Sequence, residues 1–364
     1  MIYNTIMEPR FLGSLAKHFF WRVCLTFLCL FTIQTGSAKV YYFESIQMGM
    51  PFEILIHHEK LSRDRIQEIA QSAFDEINRL NQIFSNYEYD SEVSKLCRTA
   101  GDNIWVKVSD ELWDVLILSH KYYDDSDGLF DVTIGSAANL WRKSRRDKRL
   151  PETHLLELVR SRIGQKYLKF HSKEKKVKLE LPFMRIDLGG IAKGYALDAA
   201  SRLLNEANFP SHIVKAGGDM VIGEAPGNDK QSQPGWKISL FPKQDIPDHL
   251  VKFRSLYLSQ CAIGTSGDIN QFVEINGIRY SHIIDPKTCF GLVGARRAVV
   301  IAENATVADS HATISCLLDQ NDVIDWLQKR HLDAHILRHN GSKLLGLTTR
   351  GFWRKFKKSS SEDN

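Results

Sequence analysis

The sequence predicts an α+β protein, in which mixed or antiparallel sheets are flanked by helices within one compact body. Three observations support this prediction. The 364 residues are 43% hydrophobic and 25% charged, a globular composition that excludes collagen-like and low-complexity chains. Segments with strand periodicity alternate with segments of helical periodicity. No linker rich in Pro, Gly and Ser interrupts residues 40–345, so any two lobes would pack intimately.

The body is predicted to begin with a hairpin and a long helix. Alternating apolar residues between Val40 and Ile56, interrupted by a Met-Gly-Met-Pro turn, predict two strands. From Ile66 to Phe84, apolar residues recur every three or four positions, which predicts an amphipathic helix. Residues 104–108 predict another strand, after which Ser109 is expected to cap the next helix.

Composition divides the chain into three parts. Residues 1–38 contain basic residues, an uncharged apolar run from Val23 to Ile33 and a small-residue ending at Ala38, the pattern of a secretory signal peptide. We therefore expect an exported, periplasmic protein cleaved near Lys39; an uncleaved inner-membrane anchor is the alternative. Residues 39–345 are the predicted folded domain, and residues 346–364 a basic and polar tail.

Charge and cysteine content exclude several classes of partner and cofactor. The 48 Lys and Arg residues against 43 Asp and Glu leave a net charge of +5, which is too small and too evenly spread to predict nucleic-acid binding. Beyond the apolar run, the cysteines are Cys97, Cys261, Cys289 and Cys316. They have no Cys-x-x-Cys spacing and predict no zinc ribbon, and their pairing stays open.

The first segment with chemical potential is a double glycine between a predicted strand and a helix. The run Phe183–Leu188 has a strand-like pattern, Gly189 and Gly190 follow it, and a helix opens at Ile191. The N–H groups and positive dipole end of that helix, together with Lys193, would favour a phosphate. A tight turn beside a solvent-exposed lysine is the alternative.

Two further glycine-rich segments carry polar residues. In Val214–Met220, an apolar strand is predicted to lead into the sequence Gly-Gly-Asp. In Cys261–Asp268, we expect Thr265 and Ser266 to lie in a glycine-flanked turn whose backbone could close on a ligand. Each segment is a weak signal alone, because such triplets occur in many ordinary turns.

The last segment predicts a metal site. Thr306 can cap a helix on which Asp309 and Thr313 stand four residues apart, so that their oxygens share one face. With a main-chain carbonyl from a nearby loop, these are hard ligands that suit Mg²⁺. A favourable charge at a helix start and a packed threonine are the plainer alternative. His311 falls off this face and is expected to be solvated, whereas His282 is either a general base or a structural hydrogen-bonding residue.

Taken in order, these segments resemble the ApbE family of FAD:protein FMN transferases. The resemblance spans about residues 45–340 and is carried by QMGMPFEI, FSNYEYDSEVSKL, GLFDVTIG, DLGGIAKGYALD, AGGD, TSGD, RYSHIIDPKT and ADSHAT. It implies a T-fold-like body. It also implies an enzyme that uses Mg²⁺ to cleave FAD, transfers the FMN half onto a Ser or Thr hydroxyl of another protein, and releases AMP.

The resemblance also implies the site residues and the partner. Those expected to line the FAD site are Met48, Tyr87, Leu129, Phe130, Asp131, Asp187, Lys193 and Ile284. The metal would be held by the carbonyl of Gly190 with Asp309 and Thr313, and His282 would be the general base. The partner would be a redox protein with an acceptor stretch such as Asp-x-x-Ser/Thr-Gly-Ala-Thr. An Mg²⁺-dependent FAD pyrophosphatase, which uses water instead of a protein hydroxyl, is the alternative.

Two residues depart from the family pattern. Cys289 stands where relatives usually have glycine, and Cys97 stands where they often have asparagine. If position 289 requires a positive φ, the cysteine strains or reshapes the loop beside His282. This departure keeps a third function open, that of a flavin-binding protein without turnover.

Overall fold

The structure is a computed structural model that describes residues 32–35, 38–226, 235–240, 255–268, 271–340 and 343–352. The predicted signal peptide therefore lies largely outside the described residues. None of the helices in these ranges is both long and apolar enough to cross a membrane.

An antiparallel sheet of nine strands forms the centre of the described chain. With strands numbered along the chain, its spatial order is β1 (Thr32–Thr35), β2 (Ala38–Gln47), β3 (Met50–His57), β7 (His212–Ala216), β8 (Asp219–Ile222), β11 (Cys261–Gly267), β15 (Arg296–Ala302), β16 (Asp333–Asn340) and β17 (Lys343–Thr348). Neighbours in the sheet are often distant in the chain. The architecture is the predicted α+β body with antiparallel sheets.

Smaller sheets and eight helices surround this sheet within the described ranges. The smaller sheets are β4 (Val106–Lys107), β6 (Lys176–Leu179) and β5 (Leu168–His171); β9 (Trp236–Ser239) and β10 (Ser255–Leu258); and β12 (Phe272–Ile275), β13 (Ile278–Ile284) and β14 (Gly291–Val293). The helices are α1 (Arg63–Phe84), α2 (Glu92–Arg98), α3 (Asp110–Asp125), α4 (Gly135–Asp147), α5 (Thr153–Arg160), α6 (Ala192–Glu206), α7 (Ala305–Leu317) and α8 (Val323–Gln328).

Both faces of the central sheet are buried. Helices α1, α6 and α7 cover one face, where Ala298 and Val300 of β15 join the main core. The alternate residues Val299 and Ile301 join a second core with Trp236 of β9 on the other face. Because side chains alternate between two buried faces, β15 is apolar at successive positions instead of every second one.

Several predicted elements are confirmed. Strands β2 and β3 form the hairpin, and α1 spans the predicted amphipathic helix with its apolar stripe buried. The Ser109 hydroxyl accepts a hydrogen bond of 3.2 Å from the backbone N–H of Leu112 at the start of α3. The strand predicted at residues 104–108 is present but shorter, because β4 covers Val106–Lys107.

The strand predicted for Phe183–Leu188 is wrong. This segment is an extended loop whose backbone forms one isolated bridge, between Arg185 and Ile134. The backbone N–H of Asp187 also donates to the carbonyl of Val132 at 2.8 Å. These contacts satisfy the loop locally, so an apolar run that resembles a strand joins none of the sheets in the described residues.

The turn predicted around Thr265 and Ser266 is also wrong. These residues lie in β11, between β8 and β15 in the centre of the sheet. A Cβ on Gly264 would lie 2.1 Å from the backbone carbonyl group of Ala308 in α7. The glycine in this segment therefore permits a helix to pack directly on the strand, and it does not mark a turn.

Two boundaries also differ from those expected. The N-cap of α7 is Asn304, whose side chain accepts from the N–H of Val307 at 2.9 Å, and the Thr306 hydroxyl instead donates to Asp198. The predicted tail at residues 346–364 begins too early, because β17 continues to Thr348 and Phe352 is fully buried.

At the N-terminal end of the described chain, β1 pairs only with β2 among the described strands. Cleavage near residue 39 would therefore remove an edge strand.

Gly264→Ala is expected to lower the free energy of unfolding by about 1–3 kcal/mol or more, because the new methyl group overlaps the α7 backbone. The control is Gly346→Ala on β17, where a Cβ would meet its nearest neighbour at an ordinary 3.5 Å. Urea denaturation measures the free energy of unfolding of both variants. Equal stability of the two variants would contradict the packing of α7 on β11.

Candidate active site

A cavity of about 380 Å³ opens where α4 and β13 face the double-glycine turn and α7. Most of the residues singled out from the sequence line it. They are Tyr87, Leu129, Phe130, Asp131, Asp187, Gly190, Lys193, His282, Ile284 and Thr313. The structure thus brings together residues that are far apart in the chain, in a concave pocket that mixes aromatic and charged side chains.

Lys193 lies at the first turn of α6 and pairs with two buried carboxylates. Its Nζ is 2.5 Å from Asp219 and 2.9 Å from Asp309, and the two aspartate side chains are 3% and 4% exposed. The remaining oxygen of Asp309 accepts from the N–H of Gly194 at 3.1 Å, and Asp219 also accepts from the N–H of Thr265 at 2.7 Å. Lys193 is therefore not the solvent-exposed lysine of the alternative prediction, because it is partly buried and paired with two carboxylates.

This cluster has more negative than positive charge. Burial is the largest cause that raises the pKa of Asp219, to about 6, and the nearby charge of Asp309 adds to the rise. Burial alone would lower the pKa of Lys193, but the two carboxylates raise it above its usual range. One ammonium between two carboxylates leaves a deficit of positive charge, which a divalent cation would correct.

Oxygen atoms that could contact a cation lie beside this cluster. The hydroxyl oxygens of Ser266 and Thr313 are 3.4 Å apart, and a Cβ on Gly190 would lie 3.5 Å from the Thr313 methyl group. Asp309 lies directly behind Lys193 and does not itself line the cavity. Within the described residues, no three His, Cys, Asp or Glu side chains gather around one point. The predicted set of one carboxylate, one hydroxyl and one carbonyl is an oxygen set of the kind that Mg²⁺ takes.

Asp187 supports the double-glycine turn from the side. One of its oxygens accepts from the N–H of Gly189 at 2.9 Å, and the other accepts from Arg142 at 2.6 Å. The same guanidinium lies over the ring of Tyr87, 4.6 Å from its centroid. Because Tyr87 is 76% exposed, this stack forms the rim of the cavity.

The residues Leu129–Asp131 form a rigid wall. Burial raises the pKa of Asp131, whose carboxylate accepts from both the N–H and the hydroxyl of Thr133. The Phe130 ring would lie only 3.0 Å from a Cβ on Gly190. A side chain at position 190 would require the ring to shift, so glycine suits this close approach.

His282 lines the cavity from the end of β13. Its Nδ1 is 3.2 Å from the carbonyl oxygen of Gln271, and since a carbonyl can only accept, Nδ1 carries the proton and Nε2 is left as the acceptor. Burial first, and then the positive charge of Arg145, lower the pKa of His282 to about 4. The ring is therefore neutral at neutral pH and able to take up a proton.

The structure corrects two predictions about side-chain position. Met50, not Met48, lines the cavity, because Met48 occupies the turn before β3 with a φ of 48°. His311 is not solvated but 5% exposed, with its ring centroid 4.9 Å from Tyr122 and 5.3 Å from Trp326. The side of α7 that carries His311 is covered by α3 and α8, which helical spacing alone does not reveal.

Cys289 keeps the backbone conformation of the glycine it replaces. Its φ is 61°, in the left-handed region, so the position does require a positive φ. The side chain is 1% exposed and packs with Ala137, Leu156 and Val159. This packing stabilises the cysteine in a backbone conformation that favours glycine. Cys97, the other departure, accepts at Sγ from the N–H of Ile186.

Four residues of the site were not assigned a role from the sequence. Asp219 stood in the quoted Gly-Gly-Asp motif, and Ser266 was placed in a turn. Arg142 and Arg145 line the cavity from α4. With Ala138 and Trp141 they follow the spacing i, i+3, i+4, i+7, so a cation inside an apolar helical stripe was the signal that could have revealed them.

Comparison with known proteins identifies the class to which this fold and site belong. The model of the ApbE family matches residues 48–336, and the chain belongs to that family. A protein of Chlamydia muridarum named FAD:protein FMN transferase is 29% identical over 86% of this chain and 96% of its own length. The crystal structure of the ApbE protein from Thermotoga maritima has a TM-score of 0.75 and 27% identity, covering 87% of this chain and 99% of its own. Flavin transferase ApbE from Vibrio cholerae, 22% identical over 88% of this chain and 100% of its own, has the same fold with a TM-score of 0.74.

Lys193→Met is expected to lower the free energy of unfolding by about 3–5 kcal/mol at pH 7, because two buried carboxylates lose their counter-ion. The loss should shrink at pH 5. Asp219, whose pKa is raised by burial, takes up a proton as the pH falls, and the folded state regains stability.

Lys215→Met is the matched control for this prediction. Lys215 pairs with Glu53 at 2.7 Å, but the two side chains are 34% and 24% exposed, so a loss below about 1 kcal/mol is expected. Urea unfolding at both pH values gives the comparison. Losses of similar size in the two variants would argue against a buried cluster.

Proposed function

We propose that this ApbE-family protein is an Mg²⁺-dependent FAD:protein FMN transferase. It would cleave FAD, attach FMN through a phosphoester to a Ser or Thr hydroxyl of a partner protein, and release AMP. The observation that carries the proposal is the cluster of Lys193, Asp219 and Asp309 beside Gly190 and Thr313, on a cavity that also contains His282. The names of the relatives support the same chemistry.

The reaction requires an acceptor hydroxyl to attack the phosphorus of the FMN half. A bond forms between the hydroxyl oxygen and this phosphorus, the bond from phosphorus to the bridging oxygen breaks, and AMP leaves with the bridging oxygen. The hydroxyl proton passes to Nε2 of His282, which is unprotonated because Nδ1 donates to the Gln271 carbonyl. A pKa of about 4 makes His282 a weak base on its own. The negative diphosphate beside it would raise that pKa when FAD is bound.

The opposite wall neutralises the charge of the diphosphate. When bound to Asp309, Thr313 and the Gly190 carbonyl, Mg²⁺ would polarise phosphate oxygens and offset the charge that develops on the leaving group. Asp219 keeps the Lys193 ammonium next to Asp309 and thereby orients that carboxylate. Tyr87 and Phe130 offer aromatic faces for a ring system, Tyr87 at the rim and Phe130 in the buried wall.

The proposed acceptor is a redox protein outside the cytoplasm that carries a Ser or Thr in a stretch such as Asp-x-x-Ser/Thr-Gly-Ala-Thr. The support for export is the signal-like pattern of the first 38 residues, and the support for the acceptor is membership of the family. Mass spectrometry of co-expressed periplasmic proteins, with a search for the added mass of FMN, would identify the acceptor. An unprocessed N-terminus on the purified protein would favour an inner-membrane anchor.

A direct assay separates transfer from hydrolysis. Purified protein is incubated with FAD, Mg²⁺ and an acceptor protein, and the products are denatured before fluorescence is measured. A transferase leaves fluorescent flavin on the acceptor and yields AMP in equal amount. Free FMN and AMP without labelled acceptor would indicate a pyrophosphatase, and intact FAD would indicate a flavin-binding protein without turnover.

Asp309→Ala is expected to abolish metal-dependent transfer in this assay, because the predicted metal site loses its carboxylate. The variant should remain folded by circular dichroism. Asp325→Asn on the exposed face of α8 removes one carboxylate elsewhere and should leave the rate unchanged. Unchanged transfer by Asp309→Ala would remove Asp309 from the metal site.

His282→Ala is expected to slow transfer about 100-fold or more while changing FAD affinity much less, because a general base acts on the chemical step. Single-turnover rates and equilibrium FAD titration provide the two measurements. His154→Ala, on an exposed histidine of α5, is the control. Equal losses in rate and in affinity would mean that His282 only positions the flavin.

A further inference from the structure

The wall formed by α4 carries a cation that the proposed reaction does not yet use. Arg145 lines the cavity with Arg142, on the same helical stripe as Trp141. Its guanidinium is half-buried, and its Nε is buried without a hydrogen-bond partner among the described residues. A buried charged donor normally has a hydrogen-bond acceptor, and this Nε has none among the described residues.

The three cations that line the cavity differ in how they are balanced. Lys193 lies between two carboxylates, and Arg142 donates to Asp187 at 2.6 Å. Arg145 has no carboxylate within ion-pair distance in the part of the chain that the structure describes. Burial lowers the pKa of Arg145, the phenol of Tyr87 raises it, and the like charge of Arg142 lowers it again. The net shift of the Arg145 pKa is downward. It is therefore the lining cation whose charge is available to a ligand.

We propose that Arg145 binds a phosphate oxygen of the dinucleotide, and this inference rests on the proposed function. A guanidinium presents a planar set of donors that matches phosphate oxygens, and Arg145 brings one to the cavity wall without a carboxylate partner among the described residues. Arg145 and His282 line the same cavity. The phosphate that reacts beside His282 is therefore the anion within reach of Arg145.

This assignment gives the cavity two walls that bind anionic oxygen. The wall with Lys193, Gly190 and Thr313 would hold one side of the diphosphate through the proposed metal ion, and Arg145 would hold the other. Attack of the acceptor hydroxyl and departure of AMP require the phosphorus to be fixed relative to His282. Arg145 is half-buried on the cavity wall whereas Tyr87 at the rim is 76% exposed, so a phosphate inside the cavity is a better match than a carboxylate of a large acceptor protein.

The test compares ligands that differ only in a phosphate. Affinities for FAD, FMN, riboflavin, AMP and adenosine are measured by fluorescence titration or calorimetry with the wild type, Arg145→Gln, Arg145→Lys and Arg146→Gln. Arg145→Gln should bind FAD at least about tenfold more weakly and should bind riboflavin as the wild type does. Arg145→Lys should be intermediate, because it keeps the charge but loses the planar donors.

Arg146→Gln is the matched control, since Arg146 is the next residue of α4, is 74% exposed and pairs with Asp147. Its affinities should equal those of the wild type. A reduced preference for FMN over riboflavin places Arg145 on the FMN phosphate, and a reduced preference for AMP over adenosine places it on the AMP phosphate. Either result supports the inference.

Three results would overturn it. They are unchanged FAD affinity in Arg145→Gln, an equal loss for riboflavin and FMN, and a change confined to the KM for the acceptor protein. These results differ from a failure of the proposed function. In that case the wild type transfers no flavin, whereas the phosphate preferences and their dependence on Arg145 can still be measured.

Discussion

One partly buried lysine holds together the elements that form the site. Lys193 on α6 bonds Asp219 at the start of β8 and Asp309 in the middle of α7, so a strand of the central sheet and two helices meet at one ammonium group. Removing charged groups from water is unfavourable unless each finds a partner, and here each does. The positions of Gly190 and Thr313 follow from this arrangement, because one precedes Lys193 in the chain and the other lies one turn after Asp309.

Charge is distributed unevenly across the cavity. The wall at α6 and α7 has an excess of carboxylate, and burial raises the pKa of Asp219 accordingly. The facing wall, formed by α4 and β13, has an excess of positive charge from Arg145 beside a neutral histidine. A ligand that carries an anion together with a divalent cation would satisfy both walls. This is a physical reason to connect the cavity with a metal-bound diphosphate, independent of any relative.

Local periodicity was sufficient to predict the elements that obey it. The hairpin, α1 and the helical spacing of Asp309 and Thr313 depend on neighbours in the chain, and all were predictable. The strand β11 was not, because Gly264 serves contact with a helix about 40 residues later in the chain. Burial of His311 depends on α3 and α8, and the pairing of Lys193 depends on β8. Information of this kind is absent from any short window of sequence.

The order of strands in the central sheet has a consequence for how the protein is made. The residues that line the cavity range from Met50 to Leu317, and β11 pairs with strands that long connections separate from it. A nascent chain still lacking α7 has no complete pocket, and non-local pairing of this kind forms slowly. Flavin would thus bind only to the completely folded protein. A dinucleotide present during folding would therefore stabilise the native state by mass action, but it would not assist the earlier folding steps.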